Sequence, residues 1–355
     1  MKIAIDCRHI DSSGIGVYLR ECLPFFLKSS NSFLLLGDSV KLGIFRNHAN
    51  AKVIHCIIKP FTFQDTFFFP RAIVREINKS DIFYSPYFNI PSGVSIPTYT
   101  TIHDIIFPDI PELTSKAGLA ARMYFYRRCF RHSKKIFTVS EFSKSRIEFY
   151  LKSKKPVIVT YSAIQPYFIE YTKTAGNVKK NKIVIFIGNI KKNKGLEILL
   201  EAFRLAKEEG LPHQLIIVGS KDNFRTSNNS VLKKIDSLGS DTVIFTGFIP
   251  DEKLAKYLSC ASLLVQPSLY EGFCLPPLEA MVLGTKVLIS DIRVLKEIYT
   301  DYPVAYFRSG DIVDLKEKLL NLLLHNEPAS QILSNELLSK YSFEKTANTI
   351  LKEFN

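Results

Sequence analysis

Short apolar, β-branched runs alternate with longer stretches of helical periodicity along the whole chain, a pattern that predicts parallel sheets built from βαβ units. In the first half the strand patterns are KIAID (2–6), FLLLGD (33–38), VIHCII (53–58), IFYSP (82–86), PTYTTI (97–102), KIFTVS (135–140) and VIVTY (157–161). Helical patterns cover about 16–28, 66–78, 116–132 and 142–152. After Pro166 the text turns polar and basic, YTKTAGNVKKNK (171–182), as a linker does. The alternation then restarts with IVIFIG (183–188), the helical LEILLEAFRLAKEEG (196–210), QLIIVGS (214–220), VIFTGF (243–248), the helical DEKLAKYLSCA (251–261), LLVQPS (263–268) and TKVLIS (285–290). Two doubly wound α/β sheets in tandem fit this order better than one large sheet. The expected division is a first domain over 1–168, a linker over 169–182, a second domain over 183–335 and a closing helix over 336–355. Ligands of such sheets bind beyond the carboxyl ends of the strands, so chemistry is to be sought at the strand-to-loop junctions.

Composition agrees with this picture and narrows it. A chain of 355 residues exceeds what one core of about 100–200 residues supports. With 46% apolar and 23% charged residues it reads as globular. No run approaches the roughly 18 consecutive apolar residues of a membrane span. MKIAID reaches an aspartate at position 6, which suits a first strand rather than a signal peptide, so a cytoplasmic location is expected. The six cysteines show no metal-ligand spacing and read as reduced thiols.

The formal charge of +13 is unevenly spread. Residues 1–170 hold 23 of the 47 Lys and Arg but only 13 of the 34 Asp and Glu. Within them, RRCFRHSKK (127–135) places Arg127, Arg128, Arg131, Lys134 and Lys135 at about helical spacing. Such a cluster could face nucleic acid, an anionic membrane or a phosphorylated lipid, and a solvated helix face is an equal alternative. With neither metal-finger spacing nor an RNA-recognition signature, no nucleic-acid partner is expected.

Four junctions carry candidate chemistry. In DCRHIDSSGIG, Gly14 and Gly16 precede a helix, where bare backbone and exposed amides suit an anion, although a plain turn explains a GxG equally well. In TIHDIIFPDIP, His103 stands at a strand's carboxyl end, able to donate to a sugar hydroxyl or stabilise charge, with Asp104 to orient it or its loop; a satisfied core histidine is the bland reading. In FIGNIKKNKGLEILLEAF, Gly188 ends a strand, Asn189 follows, and Lys194 before a helix can meet a diphosphate as a point charge. In YEGFCLPPLEAM, the strand-to-helix loop Glu271–Leu275 can aim its amides at an anion, while Glu279, about a turn into the helix, can accept two hydrogen bonds from a ribose diol.

Together these stretches resemble retaining glycosyltransferases of family 4. Their hallmark, two glutamates separated by seven residues in EGFGLPxLEAM, stands here as EGFCLPPLEAM. GIGVYLRE, the HD pair at 103–104, TVSEFSK (138–144), the GN…KG loop (188–195), TGFIPDEKL (246–254), GTKVLISD (284–291) and YSFEKTA (341–347) follow the family in order and spacing over nearly the whole chain. The resemblance implies the GT-B fold, two Rossmann-like domains facing across a cleft with a C-terminal helix returning to the first. It assigns Lys194 to the donor diphosphate, with Asn189 beside it, Glu279 to the ribose, and Gly247, Phe248 and Ile249 to the base. Glu271 and the amides of Phe273, Cys274 and Leu275 would grip the transferred sugar. His103 would reach towards that sugar, and Gly14, Ile15 and Gly16 would line the phosphate side. Cys274 replaces a family glycine, Asn193 and Gly195 depart from the common RKN, and YSAIQPYF (161–168) replaces an NGVD-type connector.

The implied co-substrate is a GDP- or UDP-linked sugar, with no further cofactor and no metal, since the sequence has no Asp-x-Asp. The expected acceptor is lipid-diphosphate-linked or an oligosaccharide, in O-antigen, lipopolysaccharide or capsule assembly, with mannose the first candidate sugar. The basic first domain and FTFQDTFFFP (61–70), with Phe67, Phe68 and Phe69 in a row, suggest peripheral contact with the anionic cytoplasmic face of the inner membrane. The bland alternative is that these rings start a helix packed on the sheet. A two-carboxylate glycosidase fits poorly because hydrolases need no phosphate cradle. A sugar-nucleotide epimerase or phosphorylase on the same architecture, or a nucleotide-sugar-binding scaffold, remains a rival.

Overall fold

Parallel strands need crossover connections, and the helical stretches between the strand patterns supply them. The structure, a computed structural model, describes residues 1–152, 155–176, 178–219, 239, 241–325 and 333–354. Strands β1 (Lys2–Asp6), β2 (Ser32–Gly37), β3 (Ala51–His55), β4 (Ile82–Ser85), β5 (Thr98–Thr101), β6 (Ser133–Thr138) and β7 (Val157–Val159) form one sheet in the order β3-β2-β1-β4-β5-β6-β7. Strands β8 (Ile183–Ile187), β9 (Gln214–Val218), β10 (Val243–Gly247), β11 (Leu263–Gln266), β12 (Lys286–Ser290) and β13 (Ala305–Phe307) form a second, in the order β10-β9-β8-β11-β12-β13. Every described pairing is parallel. The strand order reverses between β1 and β4 and again between β8 and β11, and these switch points are where doubly wound sheets open a crevice for ligands.

The chain divides into two units, Met1–Ala163 with Tyr341–Asn355, and Ile164–Lys340. In the first, the helix Phe343–Glu353 packs against the helix Ser13–Leu27. Phe354 joins the rings of Tyr84, Tyr99 and Phe137, and Lys135 Nζ reaches Glu353 Oε2 at 2.7 Å. The end of the chain therefore completes the first unit's core. The second unit's core gathers Leu199, Leu200, Phe203 and Ala206 of the helix Leu196–Glu208 against Val184 and Phe186 of β8 and Leu215 and Ile217 of β9. All six cysteines are free thiols. Among the described residues no helix is long and apolar enough to cross a membrane.

Two expectations need correction. The helix expected over 66–78 is two short ones, Phe63–Phe67 and Arg71–Ile77. Pro70 separates them, because proline has no N–H to give and disfavours helical geometry in the residue before it. Thr62 caps the first, its side chain accepting from Asp65 N–H. The stretch expected to begin the linker is instead helical: Pro166–Ala175 starts with proline in its first turn and is closed by Gly176. Phe168 is buried on one side while the outward residues are polar, so the composition of this helix imitates a linker. Later elements that the alternation did not specify are the helices Arg293–Tyr299, Ile312–Leu324 and Asn335–Lys340, together with β13.

Candidate functional site

In the second unit, the loops after β8 and β11 lie together at the switch point, and specific contacts hold them there. The first loop ends in a tight turn, Lys192–Lys194, whose Asn193 carbonyl accepts from Leu269 N–H at 2.8 Å. The Asn193 side chain donates to the Tyr270 carbonyl at 3.2 Å. Gly195 follows with φ +66°, and a Cβ there would stand 1.9 Å from the Pro267 carbonyl oxygen. Only glycine lets the two loops approach so closely. The departures at Asn193 and Gly195 thus have a structural role as the clamp between the two loops.

The clamp delivers the side chains. Lys194 Nζ donates to both oxygens of Glu271, at 2.7 and 2.9 Å, and Ser268 Oγ donates to Oε1 at 2.7 Å. Glu271 is buried, and this ion pair plus a hydroxyl offsets part of its desolvation. Three residues on, Cys274 has φ +77°, the left-handed region that glycine occupies at least cost. The Tyr299 hydroxyl donates to its carbonyl, and burial, reinforced by the charge of Glu271, pushes its thiol well up, so the sulfur stays protonated.

The helix after this loop is short, Pro276–Val282, with Glu279 in its first turn. Glu279 is 4% exposed and accepts from Gln165 Nε2 at 3.3 Å. Burial pushes its carboxyl up to about 7; the hydrogen bond from Gln165 opposes the rise and the charge of Asp251 adds to it. Gly247 turns the chain after β10 at φ +70°, leaving Phe248 83% exposed and Ile249 buried. Asn189 is half-buried beside Gly188, and Phe273 is buried.

The first unit has its own switch point. Past β1, Arg8 is clamped between Asp6, with Nε–Oδ1 at 2.9 Å and Nη2–Oδ2 at 2.6 Å, and Asp65, with Nη1–Oδ1 at 2.7 Å. Tyr87 donates to Asp6 at 2.6 Å, and Asn89 donates to Asp65. Next to this buried network, His9 Nδ1 contacts Ser12 Oγ at 2.8 Å, while its Nε2 is buried with no partner among the described residues. Gly16 has a packing reason: a Cβ would stand 2.4 Å from the Ile10 carbonyl oxygen, whereas Gly14 faces open space.

His103, past β5, lies 2.9 Å through Nε2 from the Pro86 carbonyl and meets Tyr18 edge-on. A carbonyl only accepts, so Nε2 carries the proton. Burial pushes the imidazole down to about 4, with the Pro86 bond opposing and His9 adding, so the ring is neutral and Nδ1 keeps its lone pair. This corrects the expected direction: the free ring nitrogen can accept from a sugar hydroxyl and cannot donate to one. Asp104 serves its own loop by accepting from Ile106 N–H at 3.2 Å.

The family model for glycosyl transferases group 1 matches residues 168–337. The matched residues lie within the second unit, which is similar to the group 1 glycosyl transferases. The O-antigen chain mannosyltransferase B of Escherichia coli is 28% identical over 63% of this chain and 60% of its own length. Sucrose-phosphate synthase of Thermosynechococcus elongatus shares the fold at a TM-score of 0.73 and 18% identity, over 100% of this chain and 98% of that one. HepE of Anabaena, solved in complex with UDP and glucose, does so at 0.73 and 17%, over 100% and 99%. The two-sheet architecture is the GT-B fold.

Of the residues singled out in the sequence, Lys194, Glu271, Cys274 and Glu279 come together: the charges of all the other three act on the Cys274 thiol. His103, Gly14, Ile15 and Gly16 belong to the first unit. Sequence reasoning passed over His9, the Asp6–Arg8–Asp65 network and Gln165. For the network a signal existed, since Asp-x-Arg directly after a buried strand places two charges where neither reaches solvent cheaply.

Proposed function

We propose that this chain is a retaining hexosyltransferase that moves a sugar, with mannose from GDP-mannose the first candidate, from a nucleotide sugar to a lipid-diphosphate-linked or oligosaccharide acceptor. The setting is surface polysaccharide assembly, with the protein peripheral on the cytoplasmic face of the inner membrane. The observation that carries the reading is the Lys194–Glu271 pair, held at a parallel-sheet switch point by the Asn193 and Gly195 clamp. A cation and a carboxylate 2.7 Å apart suit a substrate that joins an anionic diphosphate to a polyhydroxyl ring. Lys194 takes the leaving diphosphate, Glu271 the sugar hydroxyls, Glu279 the ribose diol, and the exposed Phe248 ring the base. The amides of Phe273, Cys274 and Leu275, together with Asn189 and the Gly14-Ile15-Gly16 turn, complete the donor set.

Transfer with retention follows from front-face attack. The acceptor hydroxyl oxygen bonds to the anomeric carbon as the bond from that carbon to the phosphate oxygen breaks. A donor phosphate oxygen takes the hydroxyl proton. The protein supplies position and electrostatic stabilisation, with Lys194 meeting charge as it develops on the diphosphate. His103, neutral with Nδ1 as acceptor, orients a hydroxyl of the transferred sugar. The mannosyltransferase relative supports mannose, and the UDP complex of HepE supports a nucleoside diphosphate donor.

Site variants test the assignment. Glu279→Ala should weaken donor binding by about tenfold or more with kcat less affected, and His103→Ala should chiefly lower kcat. Wild-type kinetics in both would remove these roles.

A further inference from the structure

The row Phe67-Phe68-Phe69 is split by the fold. Phe69 is 5% exposed and packs in the core, but Phe67 is 54% exposed and Phe68 65%. Phe63, 70% exposed, joins them, its ring centroid 5.1 Å from that of Phe67 and 5.3 Å from that of Phe68. Ile57, in the same post-β3 segment, and Val40 and Ile44, in the loop after β2, are exposed as well. Both segments leave the carboxyl edge of the sheet from its adjacent outer strands. Isolated exposed apolar residues need no explanation, but three touching phenylalanines do.

Charge sits beside the rings. Phe67 forms one wall of a groove of about 320 Å³, and Arg71 and Arg75, one helical turn apart, line it together with Val74, Ser92 and Gly93. Among the described residues, Arg71, Arg75 and the exposed Lys59 make no ion pair, and nearby carboxylates are engaged elsewhere. Asp65 is buried on Arg8 and Asn89, and Glu76 is paired with Lys79 and Lys52. In the basic cluster at 127–135, Arg127, Arg131 and Lys134 are exposed, and the other two are engaged within the fold. Lys135 is paired with Glu353 and Arg128 donates to the Ile90 carbonyl at 2.6 Å.

We propose that Phe63, Phe67 and Phe68 insert into an anionic lipid bilayer while Arg71, Arg75 and Lys59 hold lipid phosphates at its surface. This deepens the peripheral placement above and rests on it, and it names the surface that makes the contact. Rings at the acyl boundary and cations at the head-group level are the two signals that together give stable peripheral binding.

The chain contains no tryptophan, so Phe67→Trp makes a sole reporter. Its emission should shift to the blue on adding vesicles of phosphatidylcholine with phosphatidylglycerol. Phe149→Trp, at a residue 62% exposed elsewhere in the same unit, should not respond. Phe67→Ala with Phe68→Ala should cut vesicle partitioning by about tenfold to a hundredfold. Arg71→Ala with Arg75→Ala should cut it by about tenfold or more on anionic vesicles and flatten its salt dependence. All of these positions are exposed, so unchanged thermal unfolding should accompany the loss. Sedimentation with vesicles but no Phe67→Trp response would place membrane contact elsewhere and overturn the surface, leaving the transferase reading intact. Self-association that the phenylalanine variant abolishes, without vesicle binding, would make the face a contact between copies and also overturn it.

Discussion

Glu279 is the residue whose chemistry depends most on where the fold puts it. An unfolded glutamate near 4.5 has lost its proton over the interval where the folded one, raised to about 7, keeps it. The folded state therefore binds more protons there, and this group makes stability fall as pH climbs from about 4.5 to about 7. Glu279→Gln should remove that slope, gaining about 3 kcal/mol over wild type well above pH 7 and little near pH 4. His103 tilts the other way, since a base lowered to about 4 adds stability as pH rises towards 6.5, so the difference between the two proteins isolates Glu279. Parallel urea-unfolding profiles against pH would contradict this. In the proposed role, ribose hydroxyls donate to the ionised carboxylate, so donor affinity should tighten as pH rises through 7 and stay flat in Glu279→Gln. The glutamates and Lys194 were legible because their spacing is carried by one chain segment or one loop. The direction of His103 was not, because the Pro86 carbonyl that fixes its tautomer comes from another strand end.

Among elements, the two loops of the second unit act as one piece. Gly195→Ala should cost about 2 kcal/mol or more, because it combines a left-handed backbone with a collision at the Pro267 carbonyl, and it should weaken donor binding by loosening Lys194 from Glu271. Gly210→Ala, at φ +88° with nothing within 4 Å, is the control: about 1 kcal/mol lost and donor binding unchanged. Equal donor affinity in both variants would separate the clamp from the site. Strand positions were readable from buried β-branched runs, and the helix 116–132 from its periodicity. The break at Pro70 and the helix Pro166–Ala175 were not, because amphipathic surface helices and linkers share polar composition.

At the scale of the molecule, two parallel sheets each present a switch point. The second holds the cation and carboxylates of the proposed donor site, and the first holds two histidines, His103 on the Pro86 carbonyl and His9 against the Tyr87 ring. The order of motifs along the chain made this architecture legible, because the junctions at His103, Gly188 and Glu271 each follow a strand's carboxyl end. The proposed membrane surface was legible only in outline, since sequence cannot show that Phe69 turns inward while Phe67 and Phe68 turn out. The most direct test of the central claim is product mass after incubating the protein with GDP-mannose, other nucleotide sugars and a lipid-linked acceptor. The account predicts one hexose added to the acceptor and donor consumed only when acceptor is present. Donor isomerised, donor consumed without acceptor, or tight donor binding with no product from any of the sugars would contradict it.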